Sequence, residues 1–205
     1  GYKRVSTSKT LYECRLKNTK WSKYIVMAPW SKLYKRDFLI KNNINFLDYK
    51  IGEDVYFNFL VLSKTKKISI VPSIDYNWFY NDKSVSNTIQ KGLNSEVDIT
   101  VLLNNLISLD NFYEEKLNIY YIYRYIIWYL LFSGKYSTSK QFIEEHKKLV
   151  KWKKDNKIYL IINPFSKEIA GESLKNRLII LIYTMIEKIN LVGLFSKIYC
   201  KGKDV

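Results

Sequence analysis

The sequence is poor in the residues that build metal and redox sites. Its 205 residues include two cysteines and one histidine. Cys14 and Cys200 lie far apart, with no Cys-x-x-Cys spacing, so neither a zinc site nor a dithiol motif can be assembled. We expect two unpaired thiols in a reducing compartment. His146 lies in the charged helical stretch Glu144–Lys148, where we expect it to be solvated.

Signatures of nucleotide binding and of membrane insertion are also missing. The sequence contains no Asp-x-Asp pair, no glycine-rich phosphate loop and no G-x-G-x-x-G fingerprint. The apolar run from Tyr125 to Phe132 is far shorter than the ~20 residues that a membrane span requires. No apolar segment near Gly1 suggests a secretory signal.

Positive charge is abundant but indicates no particular partner. The chain carries 34 Lys and Arg against 19 Asp and Glu, a net charge of +15. Only five of the basic residues are arginine, and they are scattered, whereas nucleic-acid-binding surfaces cluster their basic residues. The wealth of Lys, Asn, Ile and Tyr is typical of an AT-rich genome. We therefore do not expect nucleic acid as a partner.

The residues that a reactive site would need are concentrated in one stretch. A Pro-Trp turn places Trp30 just ahead of a basic cluster that includes Lys32. Further on, a glycine precedes the adjacent carboxylates Glu53 and Asp54. Acidic residues are favoured in the first turn of a helix in any protein. A capping role and a chemical role for the two carboxylates are therefore both open from spacing alone.

Helical periodicity dominates the prediction. Val55, Phe59 and Leu62 recur at i, i+4 and i+7, which predicts a helix from Glu53 to Lys64 with these residues buried. Further helices are predicted at 34–42, 94–109, 114–132, 140–154 and 173–188. Short strands are predicted at 24–27 and 68–71, and an extended segment at 75–80.

Two predicted helices have unusual compositions. The helix at 114–132 is apolar nearly all round, which is typical of the central helix of a bundle. The helix at 173–188 combines Leu, Ile and Met with Lys and Arg. Packing in the core and docking on an anionic membrane are both open for it.

The order of the motifs resembles the C-terminal half of a family 2 glycosyltransferase of the GT-A type. The resemblance covers about residues 28 to 88. It is carried by Trp30-Ser31-Lys32-Leu33-Tyr34-Lys35-Arg36, by Gly52-Glu53-Asp54-Val55-Tyr56-Phe57, and by Tyr76-Asn77-Trp78 with Ser84-Val85-Ser86. Such enzymes build bacterial capsular, exopolysaccharide and cell-wall glycans.

The resemblance implies a mostly α fold with a few short β-strands, in the α+β class. Residues 1–90 would form the acceptor side of a GT-A catalytic domain, and residues 91–205 a helical extension. We expect the donor-binding machinery and its Mn²⁺ or Mg²⁺ to lie upstream of Gly1. This fragment alone should therefore be inactive.

The resemblance also implies roles for individual residues in an inverting sugar transfer from a nucleotide-sugar donor to a glycan or lipid-linked acceptor. Asp54 occupies the position of the catalytic base, and Glu53 would orient it or raise its pKa. Trp30 would form a wall for a sugar ring, and Lys32 would lie near the acceptor or the diphosphate. Relatives carry a basic residue among the aromatics before Ser-x-Ser; here Lys83 is the substitute, with a solvated loop lysine as the alternative.

Two readings from other classes remain open beside the enzyme. The chain could be a non-enzymatic helical module that docks on membranes or proteins, or a nucleic-acid-binding protein with a continuous basic groove. For the enzyme, we expect a cytoplasmic protein, peripheral at the inner face of the plasma membrane.

Overall fold

The structure of the chain is a computed structural model. The residues that it describes are 12–15, 28–65, 67–70, 76–77, 79, 81, 83–84, 88, 91–93, 97–110, 112, 116–160, 162–163, 165–166, 169 and 172–202. The strand predicted at 24–27 lies outside the described residues, as does half of the extended segment predicted at 75–80.

The described part of the chain contains seven helices and one pair of short strands. In chain order the elements are β1 (Tyr12–Arg15), α1 (Arg36–Lys41), α2 (Glu53–Lys64), β2 (Lys67–Ile70), α3 (Ile99–Ile107), α4 (Lys116–Gly134), α5 (Ser139–Asp155), α6 (Leu174–Lys188) and α7 (Val192–Tyr199). The two strands pair antiparallel, with Tyr12 opposite Ile70.

The expected α+β fold, with short strands in the C-terminal portion of a GT-A domain, is wrong. Helices build the described architecture, and β1 and β2 form only an isolated ribbon of four residues a side. Such a ribbon is marginal in water and cannot act as the sheet of a layered fold. The apolar alternation at 68–71 correctly predicted a strand close to the position of β2. It did not show whether that strand belongs to a sheet that helices cover.

The positions of the helices were predicted well. The helix predicted from Glu53 to Lys64 has these bounds in the structure. The other predicted helices are present with ends shifted by a few residues, as is usual for boundaries read from a pattern. At α5, Thr138 forms a capping box with Gln141, which ties the first turn to the preceding loop.

The chain divides into two compact units. The first comprises Gly1–Trp78, Val101–Glu115 and Ser166–Glu172, and the second comprises Phe79–Thr100, Lys116–Phe165 and Ser173–Val205. The predicted division into residues 1–90 and 91–205 stays a prediction.

The first unit has an apolar core around α2. Its buried members are Ile44, Phe57, Leu60 and Val61. Phe57 stacks on Phe46 with ring centroids 4.2 Å apart. The core is therefore built by α2 and the extended segment that follows α1.

The buried side of α2 differs from the predicted one. Phe59 is buried as expected, whereas Val55 and Leu62 are only half-buried. Phe57 and Val61 are buried instead, because aromatic and aliphatic partners approach α2 on more than one side. A helix with apolar residues around much of its circumference does not reveal from its period alone which side packs.

The second unit is centred on α4, as predicted for the apolar helix. Ten of its residues are buried: Ile119, Tyr120, Ile122, Tyr123, Ile126, Ile127, Tyr129, Leu130, Ser133 and Gly134. α5 and α6 both pack against it. At its C-terminal end Gly134 faces the ring of Phe142 so closely that a Cβ atom would lie 2.6 Å from it. Glycine is therefore required there for α4 and α5 to approach.

The prediction of a solvated His146 is wrong. The residue is 8% exposed, and its Nδ1 lies 3.0 Å from the hydroxyl oxygen of Tyr183 on α6. Burial lowers the pKa of His146. The charged sequence around it misled the prediction, because α5 turns one side of that charged segment toward α6 and α7.

Candidate functional site

The candidate site is built at the start of α2 and on the loop that precedes α1. Gly52 adopts φ 77° and ψ 11°, a left-handed conformation that glycine tolerates without strain. This turn leads directly into α2, so Glu53 and Asp54 occupy its first turn. The sequence signal Gly-Glu-Asp thus has a local structural reason that is independent of chemistry.

Asp54 is a half-buried carboxylate with a perturbed pKa. Its Oδ1 accepts a hydrogen bond from the backbone N–H of Val55 at 2.7 Å. Burial raises the pKa of Asp54, and the charge of Glu53 adds to the increase, while the Val55 hydrogen bond and the charge of Lys32 oppose it. A carboxylate that only caps a helix in water would have its pKa lowered. Asp54 therefore combines a hydrogen bond in the first turn of α2 with a pKa that burial raises.

Lys32 lies close enough to Asp54 for their charges to interact. Its ammonium donates a hydrogen bond to the backbone oxygen of Ala28. Burial lowers the pKa of Lys32 to about 8, against the opposing influence of Asp54. Lys32 and Asp54 are 22 positions apart in the sequence, and both were predicted as site residues. The fold brings them together.

Two residues that were not predicted as site residues, Tyr34 and Asn58, hold this arrangement. The ring of Tyr34 packs edge-on against Phe57 with centroids 5.3 Å apart. The Nδ2 group of Asn58 donates to the backbone oxygen of Asp54 at 2.7 Å, and Asn58 is 2% exposed. Burial also raises the pKa of Tyr34 to about 12, which keeps its hydroxyl neutral. A polar residue between Phe57 and Phe59 was the available sequence signal for Asn58.

Trp30 belongs to a pair of stacked rings at the surface. It stacks on Tyr76 with ring centroids 5.2 Å apart and an interplanar angle of 10°. The two residues are 41% and 43% exposed, so the pair is accessible to a ligand. Tyr76 was quoted in the motif that carries the resemblance, but it was not predicted as a site residue.

The other two predicted site residues, Glu53 and Lys83, are both exposed. Glu53 is exposed and acts on Asp54 through its charge. Lys83 belongs to the second unit, is exposed at a turn, and donates its backbone N–H to Oδ1 of Asn81 at 2.9 Å. This local geometry matches the solvated loop lysine that was its alternative.

Within the part of the chain that the structure describes, the candidate residues do not form a metal site. Among the described residues, no group of three or more His, Cys, Asp or Glu could hold a metal ion. A shallow depression of about 380 Å³ lies elsewhere, in the second unit, lined by Ser139, Lys140, Ile143, Glu144, Lys147 and Lys197. None of the predicted site residues lines it.

Similarity to known proteins does not add to this picture. Neither a protein family, nor a curated protein, nor a solved structure matches the chain. In the described residues, every helix is too short or too polar to cross a bilayer. The chemistry of the described side chains is therefore the basis on which a function can be proposed.

Proposed function

We propose that this chain carries the acceptor side of an inverting glycosyltransferase, with Asp54 as the base. The observation that supports this function is the approach of Asp54 and Lys32, whose pKa values are both shifted by burial. Ionisable groups with perturbed pKa values and a specific charged partner are typical of reactive sites. The helical fold gives this function no support, so the proposal depends on the side chains alone.

The proposed reaction uses Asp54 as a proton acceptor. The carboxylate takes the proton of an acceptor hydroxyl while that oxygen attacks the anomeric carbon of a nucleotide sugar. The bond from the anomeric carbon to the diphosphate oxygen breaks, and its electron pair leaves with the diphosphate. A pKa raised toward the working pH makes a carboxylate a stronger base while it remains ionised.

Lys32 and Trp30 would serve binding in this scheme. With a pKa of about 8, Lys32 is still mostly protonated near neutral pH and offers a positive charge beside Asp54. That charge suits an acceptor hydroxyl as it becomes negative, or a diphosphate oxygen. The exposed pair of Trp30 and Tyr76 presents flat apolar surface of the kind against which a sugar ring can pack.

The cation of the proposed enzyme is not assigned to this chain. A divalent cation would offset the charge of the departing diphosphate. The described residues do not fit such a site, because no suitable group of ligands occurs among them. In this proposal, Mn²⁺ or Mg²⁺ would be bound by residues other than the described ones. The reaction is proposed to take place in the cytoplasm at the inner face of the plasma membrane.

The test compares Asp54→Asn with Glu53→Gln in the full-length protein that contains this chain. Nucleotide release is measured with a panel of UDP- and GDP-sugars and glycan or lipid-linked acceptors. The amide oxygen of asparagine can still accept the backbone N–H of Val55, so the melting temperature should hardly change. Turnover should fall by about 10² to 10⁴ for Asp54→Asn, as expected for removal of a general base, and by less for Glu53→Gln.

Near-normal turnover of Asp54→Asn would overturn the proposed role and leave the carboxylate as a helix cap. Loss of turnover in proportion to loss of stability would also show that Asp54 is not the base. The chain by itself should neither transfer nor hydrolyse sugar. Calorimetry that showed micromolar binding of a nucleotide sugar to the isolated chain would contradict the expectation that the donor is bound elsewhere.

A non-enzymatic membrane-docking or protein-interaction module is the second candidate. It is favoured by a row of exposed apolar residues on α6. Absence of turnover in the full-length protein, together with retained docking, would favour this candidate over the enzyme.

A further inference from the structure

α6 exposes the apolar residues that would normally face a core. Only Ile180 and Tyr183 of this helix are buried. Its exposed apolar residues are Leu174 (59% exposed), Leu178 (37%), Ile182 (54%) and Met185 (52%), followed by Ile189 (62%) just after the helix. Their spacings of three and four residues place them on one side of the helix. α6 therefore carries an apolar row that no described part of the chain covers.

Basic residues flank this row on both sides. At 100° per residue, Lys175 lies on one edge of the row, and Arg177 and Lys188 lie on the other. The acidic residue of α6, Glu187, is on the opposite side, where both its carboxylate oxygens accept hydrogen bonds from Lys153 of α5, at 2.7 and 2.9 Å. The charge beside the exposed row is thus entirely positive within α6.

α7 continues the same kind of surface. Leu191, Leu194 and Ile198 are 44%, 57% and 80% exposed, with Lys197 between them. The inner side of α7 is fixed by Phe195, whose ring lies 5.9 Å from that of Phe142 on α5.

Aromatic contacts with α5 and α7 also fix the inner side of α6. The ring of Tyr183 lies 5.8 Å from that of Phe195 and contacts His146 of α5. Because both helices turn their aromatic residues toward α5, their apolar rows face away from it. We call the exposed residues of α6 and α7 the apolar surface, defined by Leu174, Leu178, Ile182, Met185, Ile189, Leu191, Leu194 and Ile198.

We infer that the apolar surface docks on an anionic lipid bilayer, with α6 lying in the plane of the interface. An amphipathic helix with basic edges buries its apolar side at the boundary of headgroups and acyl chains, while its Lys and Arg contact anionic headgroups. α6 has 15 residues, which is too short to span the hydrocarbon core and suits a helix that lies on it.

Charge complementarity favours a bilayer over a second copy of this chain. The segment from Ser173 to Gly202 contains five basic residues and one acidic residue. Two copies that met through this surface would bring their basic edges together, and like charges across an interface oppose association. An anionic bilayer meets the same edges with opposite charge. This inference is independent of the proposed enzyme, because none of its residues belongs to the Asp54 site.

The experiment measures flotation of the whole chain with vesicles of phosphatidylcholine, with and without phosphatidylserine. We expect binding to the anionic vesicles only, and weakening by salt, because surface potential is screened over about 8 to 10 Å at physiological ionic strength. Removing one interfacial cation should weaken binding about fivefold. Replacing one buried aliphatic side chain by Gln should weaken it about tenfold or more.

The variants have close matches elsewhere on the chain. Ile182→Gln tests the apolar surface, and Ile40→Gln is its control, because Ile40 lies on α1 and is exposed to a similar degree, 57% against 54%. Lys188→Gln tests the basic edge, and Lys41→Gln is its control on α1. All four positions are exposed, so the variants should keep the circular-dichroism spectrum and melting temperature of the parent chain.

Weakened flotation of Ile182→Gln and Lys188→Gln, with both controls unchanged, would support the inference. Equal effects in the test and control variants would overturn it, because binding would then depend neither on the apolar surface nor on its basic edge. Flotation that does not change with salt concentration, or an absence of flotation, would overturn it as well. If ultracentrifugation shows a dimer that Ile182→Gln dissociates, and vesicles do not bind, the occupant is a second copy instead.

Discussion

Lys32→Met should stabilise the fold near neutral pH although it removes a positive charge that interacts with Asp54. Burial lowers the pKa of Lys32 from 10.5 to about 8, so the folded state holds this proton less tightly than the unfolded state does. At 1.36 kcal/mol per pKa unit, this difference corresponds to roughly 3 kcal/mol of destabilisation at pH 7. Since Lys32 keeps partial contact with water, screening reduces the cost to about half that figure.

The lost hydrogen bond to Ala28 offsets part of this gain. A hydrogen bond to a charged group contributes on the order of 1.5 kcal/mol. Methionine restores most of the apolar stem of the lysine, and its flexibility lets it fill an irregular space. The net stabilisation of Lys32→Met at pH 7 should therefore be small, between about 0 and 1 kcal/mol.

The pH dependence is the sharper measurement. Between pH 8 and 10.5 the unfolded state binds the Lys32 proton and the folded state does not, so the parent chain gains stability as pH rises through this window. Lys32→Met lacks this gain. Urea unfolding of both proteins from about pH 7 to pH 10 gives the difference, in which other groups such as Tyr34 largely cancel.

Lys41→Met is the control for Lys32→Met, because Lys41 is exposed on α1. Its pH profile should follow that of the parent chain. The reasoning is refuted if Lys32→Met destabilises the chain by more than about 1 kcal/mol at pH 7. It is also refuted if the free-energy difference between Lys32→Met and the parent does not change with pH. In an assay of the proposed sugar transfer, the same change should also lower turnover, since the proposed binding charge is lost.

Two further predictions concern the second unit. Leu130→Ala should lower the free energy of unfolding by about 2 to 5 kcal/mol, because Leu130 is 1% exposed on α4. Leu178→Ala should lower it far less, because Leu178 is exposed on α6. Urea unfolding that showed the larger loss for Leu178→Ala would contradict the packing. Burial, with the charge of Lys153 adding and that of Glu187 opposing, lowers the pKa of His146 below 6.5. Stability from this group is therefore fully present above pH 6.5 and lost as pH falls through the lower folded value, and an NMR titration of the chain's one histidine with a midpoint above 6.5 would refute this.

The sequence by itself determined where most helices lie. Glycine before Glu53, an acidic first turn and the apolar period locate α2 from end to end, because capping and periodicity are local properties. The same reasoning recognised α4 as a central helix, since residues that are apolar all round require partners on every side. The resemblance carried by the motifs, and not capping or periodicity, singled out Asp54 and Lys32, which the fold brings together.

Tertiary structure alone decided the properties that depend on distant partners. Whether Ile68 and Ile70 belong to a layered sheet depends on the strands available to pair, and here β2 pairs with β1 alone among the described strands. Whether His146 is solvated depends on α6 and α7, which lie far along the chain from it. The exposed row of α6 has the composition of a core, and only the absence of a covering element in the described fold shows it to be surface. Burial is a sum over non-local contacts, so a sequence period can show that a side is apolar but not what covers it.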